Sequence, residues 1–113
     1  MSVSIQEIPE SIVITCNGEL NQDAVARFDE AISRARATAH QNIWVDCHGI
    51  TSVSTAAMRA ILSYLGTMDE LGLRLVLFNL QPAVQQKLEQ AGLTSVLKIL
   101  PGIREAYLLY KHG

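Results

Sequence analysis

A chain of 113 residues, 49% apolar and 18% charged, reads as a single folded domain spanning residues 1–113. It is too apolar for a disordered segment and long enough to bury a core without metals or disulfides. A net charge of −2 with no lysine or arginine cluster excludes an electrostatic nucleic-acid surface. No uninterrupted apolar run approaches the ~20 residues of a membrane span, and residues 1–15 carry Glu7 and Glu10 rather than the basic start of a signal peptide. A soluble cytoplasmic protein is expected, with no membrane or nucleic-acid partner.

Ser2 to Ile8 alternates, placing Val3, Ile5 and Ile8 on one face of a half-buried strand. Pro9-Glu10 marks a turn, and Ser11 to Asn17 reads as a deeper strand ended by Gly18, so the two form a hairpin. Asn21 is a good N-cap for one helix of about four turns, with Asp23 in its first turn. Its apolar stripe is Val25, Phe28, Ile32, Ala35 and Ala39.

Ile43 to Cys47 is the next strand, flanked by helices and therefore central and parallel. A Gly-bearing connection leads to a second helix beginning at Ser54 and Thr55. Its expected core stripe is Met58, Ile61, Leu62, Leu65 and Met68, with Arg59 and Ser63 on the other flank and Gly72 as its stop. Leu73 to Phe78 is a strand. A third helix opens at Gln81-Pro82 with the stripe Val84, Leu88 and Ala91. Val96 to Leu100 is a short last strand, and a final helix from Pro101 carries Ile103, Ala106, Tyr107 and Tyr110. The order β-β-α-β-α-β-α-β-α predicts an α/β domain with a mixed, mostly parallel central sheet, an N-terminal β-hairpin and right-handed crossovers.

Few residues converge on chemistry. Cys16 and Cys47 lie inside apolar runs and read as buried, reduced thiols rather than a disulfide or metal site. His40 and His112 stand at helix or chain ends and are expected to be solvated. His48 follows Cys47, but alternation sends neighbouring side chains to opposite faces, which argues against a nucleophile pair. Asp46, the one carboxylate in a buried run, suits a strand-end group that bonds loop amides. No GxSxG, HExxH, P-loop or GxGxxG occurs, so no catalytic residue, metal or cofactor is expected. A small-ligand pocket near Asp46 and His48 remains only as a minor alternative.

Ser54 and Thr55 are different, because hydroxyls at a helix start have two readings. Such residues cap helices by accepting a bond from an unpaired amide. They are also modifiable. A phosphate there would meet unpaired N–H groups and the positive helix end, so the fold would tolerate it while the surface gained roughly −1.5 to −2 charge.

The chain resembles STAS domains, the fold of bacterial anti-sigma factor antagonists and of the cytoplasmic domain of sulfate transporters. The resemblance rests on Val45-Asp46, Gly49-Ile50-Thr51, Gly72 through Asn79, Leu88 with Ala91-Gly92-Leu93, and Ile103-Arg104-Glu105-Ala106, in that order. The family's motif is Asp-Ser-Ser/Thr-Gly at the start of the second helix, its first hydroxyl residue being phosphorylated. On this chain Ser54 takes the Asp position, Thr55 the phosphorylated position and Ala57 the Gly position, so the chain departs from the commonest motif at two of the places that matter, Ser54 and Ala57.

The resemblance implies an anti-sigma factor antagonist with no enzymatic activity of its own. Unphosphorylated, it would bind an anti-sigma factor that is also a serine-threonine kinase of the histidine-kinase-like ATPase type. Phosphorylation at Thr55, with Ser54 as the secondary candidate, would release it, and a PP2C-type phosphatase would reset it. The implied partner surface is Ser52, Ser54, Thr55, Ala56, Arg59 and Ser63. The alternative is a STAS assembly or scaffold module, never phosphorylated, that regulates another signalling protein or a transporter.

Overall fold

The computed structural model describes residues 2–112. Five strands form one sheet: β1 (Ser2–Glu7), β2 (Ile12–Leu20), β3 (Asn42–Val53), β4 (Arg74–Phe78) and β5 (Lys98–Leu100). Their spatial order is the order of the chain, with β1 antiparallel to β2 and every other pair parallel. The hairpin and the central parallel strand read from the sequence are therefore both present.

The helices are α1 (Gln22–Ala26), α2 (Phe28–Ala37), α3 (Thr55–Glu70), α4 (Pro82–Gln90) and α5 (Ile103–His112), with a 3-10 turn at Leu93–Ser95. Because successive parallel strands are added always on the same side, crossovers of one hand all fall on one face of the sheet. The helices α1 to α4 share that face, and their buried residues pack on Ile12, Ile14, Cys16, Ile43, Val45, Cys47, Leu75 and Leu77 in the larger core. Among the described residues α5 is the helix on the opposite face, over a small core of Val13, Trp44, Val76, Phe78 and Ala106; Ile8 packs there too, and not with Val3 and Ile5 on the larger core as expected. Trp44 is 1% exposed there, and the Tyr107 ring meets it nearly edge-on at 5.0 Å between centroids.

Several sequence expectations are corrected. The single helix from Asn21 is two, α1 and α2, divided at Arg27, whose N–H bonds the Ala24 carbonyl in a tightened turn. Both pieces keep one buried stripe, except that Ala39 lies beyond the helix, exposed, with a left-handed φ of 58°. In α3, Leu62 is 47% exposed and Leu65 only half-buried, while Ala57 takes a place in the core. Ala91 and Val96 are exposed, and the last strand shortens to Lys98–Leu100. Tyr107, Tyr110 and Ile103 are partly exposed, leaving Ala106 as the buried residue of α5. The helix stop at Gly72 holds: its φ is 71°, and the Leu73 N–H reaches back to the Met68 carbonyl at 2.8 Å.

The largest correction concerns β3, which runs past Cys47 to Val53, just as β2 runs past Gly18 to Leu20. Pairing passes from Thr15–Asp46 to Asn17–Gly49, and from Gly18–Ile50 to Glu19–Ser52. Each step gives β3 one extra residue, a bulge. The residues that β3 sends to the larger core therefore space by two up to Cys47 and by three afterwards: Ile43, Val45, Cys47, Ile50, Val53. A period-two search stops at the first bulge. Gly49 stands at that place, where a Cβ would lie 1.8 Å from the Asn17 side-chain oxygen.

Candidate functional site

The bulged ends of β2 and β3 run in register to Leu20 and Val53, and each delivers its chain into a helix. The Ser54 N–H donates to the Leu20 carbonyl at 3.0 Å, tying the two exits together. Ser54 is extended (φ −78°, ψ 157°), and its Oγ accepts from the Ala57 N–H at 3.0 Å. This is the N-cap geometry that satisfies one unpaired helix amide. Lys87 of α4 donates to the Val53 carbonyl, holding the turn from the other side.

Thr55 is the first residue of α3 and is exposed. The cap is made by Ser54, so the fold does not need the Thr55 hydroxyl. Ser52 is exposed just before the turn, and Ser54 is half-buried. Ala56, Arg59 and Ser63 line one open groove of about 470 Å³ together with Gln22 of α1 and with Ala60 and Tyr64. The six residues implied as a partner surface thus divide into three on the turn and three along the groove that begins beside it.

Sequence reasoning omitted Gln22, Ala60 and Tyr64. Ala60 and Tyr64 continue the four-residue row that starts at Ala56, which was a readable signal. Gln22 belongs to another helix and had none. Tyr64 stacks at a tilt on Phe28, 5.8 Å between ring centroids. Its hydroxyl pKa is raised by burial, by a hydrogen bond to Asp29 and by that carboxylate's charge.

The other candidates are structural. Asp46 accepts from the His48 N–H at 3.1 Å and the Asn79 side-chain amide at 3.3 Å, as expected of a strand-end carboxylate. Cys47 is buried and His48 exposed, on opposite sides. Both cysteines are free thiols. Burial, then the Asp46 charge, pushes Cys16 up to about 11; burial, then Cys16 and Asp46, pushes Cys47 up as well. Such thiols are inert. His40 is not solvated as expected. It is half-buried, with Nε2 2.8 Å from the Ile8 carbonyl and Nδ1 2.6 Å from the Thr38 hydroxyl. Among the described residues no three histidine, cysteine or acidic side chains cluster as metal ligands, and no helix is long and apolar enough to cross a membrane.

A family model described as STAS domain matches residues 2–106. A solved structure from Thermotoga maritima, assigned as an anti-sigma factor antagonist, is 17% identical, with a TM-score of 0.80 over 96% of this chain and 94% of that one. An RsbS variant from Moorella thermoacetica is 21% identical, with a TM-score of 0.79 over 99% and 97%. The anti-sigma factor antagonist SpoIIAA in its unphosphorylated form is 20% identical, with a TM-score of 0.69 over 99% of both chains. At these identities the structures speak for the fold. No curated protein matches the chain by sequence.

Proposed function

Because the chain belongs to the STAS domain family, we propose that it is an anti-sigma factor antagonist, a protein-binding module without catalysis of its own, switched by phosphorylation at Thr55. The observation that carries this reading is the division of labour at the start of α3. Ser54 makes the cap, and the adjacent Thr55 hydroxyl stays exposed beside the groove lined by Ala56, Arg59 and Ser63. A hydroxyl at a helix start that the fold does not use is accessible to a kinase.

In the unphosphorylated form, Ser52, Ser54, Thr55, Ala56, Arg59 and Ser63 dock against an anti-sigma factor with serine-threonine kinase activity of the histidine-kinase-like ATPase type. The kinase transfers the γ-phosphoryl group of ATP to the Thr55 oxygen, which loses its proton as ADP leaves. The phosphate then stands at an interface suited to a neutral hydroxyl, where its desolvation and charge cost roughly 1–3 kcal/mol, about ten- to a hundredfold in affinity. A PP2C-type phosphatase restores the binding form. Ser54, in the place of the family's Asp, keeps the capping bond and drops the charge, and it is the secondary acceptor.

That missing carboxylate favours the second reading, an assembly module that no kinase modifies. Mass spectrometry of the protein from its own host separates the two: phosphate on Thr55 supports the switch. Against the co-purified kinase, Thr55→Glu should bind about ten- to a hundredfold more weakly than Thr55→Ala. Equal affinities, with no phosphate found, leave the assembly module.

A further inference from the structure

The start of α3 carries no acidic residue, and Arg59, one turn further on, has none beside it on the same helix. Acidic residues stand in the first turn of α1 (Asp23), α2 (Asp29 and Glu30) and α5 (Glu105), where they complement the positive helix end, but none stands in the first turn of α3 or of α4. Arg59 likewise has no acidic neighbour on its own helix. The positions one turn away are Thr55, Ala56, Leu62 and Ser63. Among the described residues the salt bridge is Arg27–Glu30, on another helix, and Arg59 takes no part in one.

We propose that Arg59 is the built-in counterion for a phosphate on Thr55, so that the phosphate folds down along α3 onto its guanidinium. The inference rests on Thr55 being the acceptor. Residues at i and i+4 are neighbours on a helix, and an acid N-terminal to its base is the favourable order. Long helical side chains lean toward the N-terminus, so a phosphate on Thr55 lies within reach of an arginine at position 59. Ala56 and Ala60 are small and leave that path open. One phosphate thereby fills both vacancies, the missing anion at the helix start and the missing partner of Arg59. It also changes the groove twice over. An anion arrives at the mouth, and the arginine lining the groove is taken out of use for a partner's carboxylate.

The test installs phosphothreonine at position 55 by genetic encoding, so that no kinase is needed, and follows its phosphate by phosphorus NMR across pH. The second ionisation of the phosphate should lie about 0.2–0.7 pH unit lower with Arg59 than in Arg59→Gln, the size of an exposed pair of opposite charges. Arg59→Lys should retain part of the effect, and Arg104→Gln on α5 should have none. Overlapping titrations for the parent and Arg59→Gln, or an equal displacement in Arg104→Gln, overturn the proposal and leave Thr55 as acceptor untouched. Absence of phosphate on Thr55 in the native host instead defeats the reading of the site, whatever the titration gives.

Discussion

Two helix starts lie side by side in this molecule, and they are built alike up to one difference. At α1, Asn21 caps the helix through its side-chain oxygen, 2.9 Å from the Ala24 N–H, and Asp23 adds a negative charge in the first turn. At α3, Ser54 caps in the same way onto Ala57, and the first turn carries no acid. The two enter from paired strand ends, Leu20 and Val53, and share the walls of one groove through Gln22 and Ala56. The capping bond is common to both, because a helix start with unpaired amides is unstable in any protein. The charge is not common to both. It is worth only about 0.3–1 kcal/mol, so a fold can leave it out and let a modification provide it.

The comparison can be broken most forcefully from below. Phe28 is buried, shares the core with Leu20 and Val53, the strand ends that lead into the two starts, and packs on the Tyr64 ring. Phe28→Ala should lower the unfolding free energy by roughly 3–5 kcal/mol in urea melts, loosening α1–α2 and α3 together. The caps come next: Asn21→Ala and Ser54→Ala should each cost about 1 kcal/mol, showing that the two starts depend equally on the bond they share. A loss at Asn21 alone would break the parallel.

The charges give smaller effects of opposite sign. Ser54→Asp should keep the cap and raise stability by about 0.3–1 kcal/mol at low salt, while Asp23→Asn should lower it by a similar amount. Both changes should shrink as salt is added, because exposed charges are screened. Smallest of all, Thr55→Ala should shift the melt by less than about 0.5 kcal/mol. A larger loss would mean that the threonine serves the fold, and the division of labour with Ser54 would fail.

Much of the site was readable because it is local. Capping depends on a residue and the three that follow it, and Ser54-Thr55 before an amphipathic run announces a helix start. The four-residue spacing of Thr55 and Arg59 is also readable from the chain alone. Leu62 was misplaced because a helical stripe read from hydrophobicity has soft edges. Ala57 is buried on the inner side, but an alanine is too small to mark a core face by its hydrophobicity. His40 was misjudged because its partner, the Ile8 carbonyl, is 32 residues away and is a backbone group that no sequence pattern marks.

By itself the sequence determined the element order, the hairpin, the central strand and the two hydroxyls at the start of α3, all of which follow from periodicity and from short-range bonding. Only the tertiary structure decided that β3 runs through two bulges to Val53, that α1 to α4 share one face and α5 holds the other, and that Gln22 closes a groove beside Thr55. The reason is physical. A bulge exists only relative to the strand it is paired with, and a groove only between two helices, so each is fixed by contacts between residues that lie far apart in the chain.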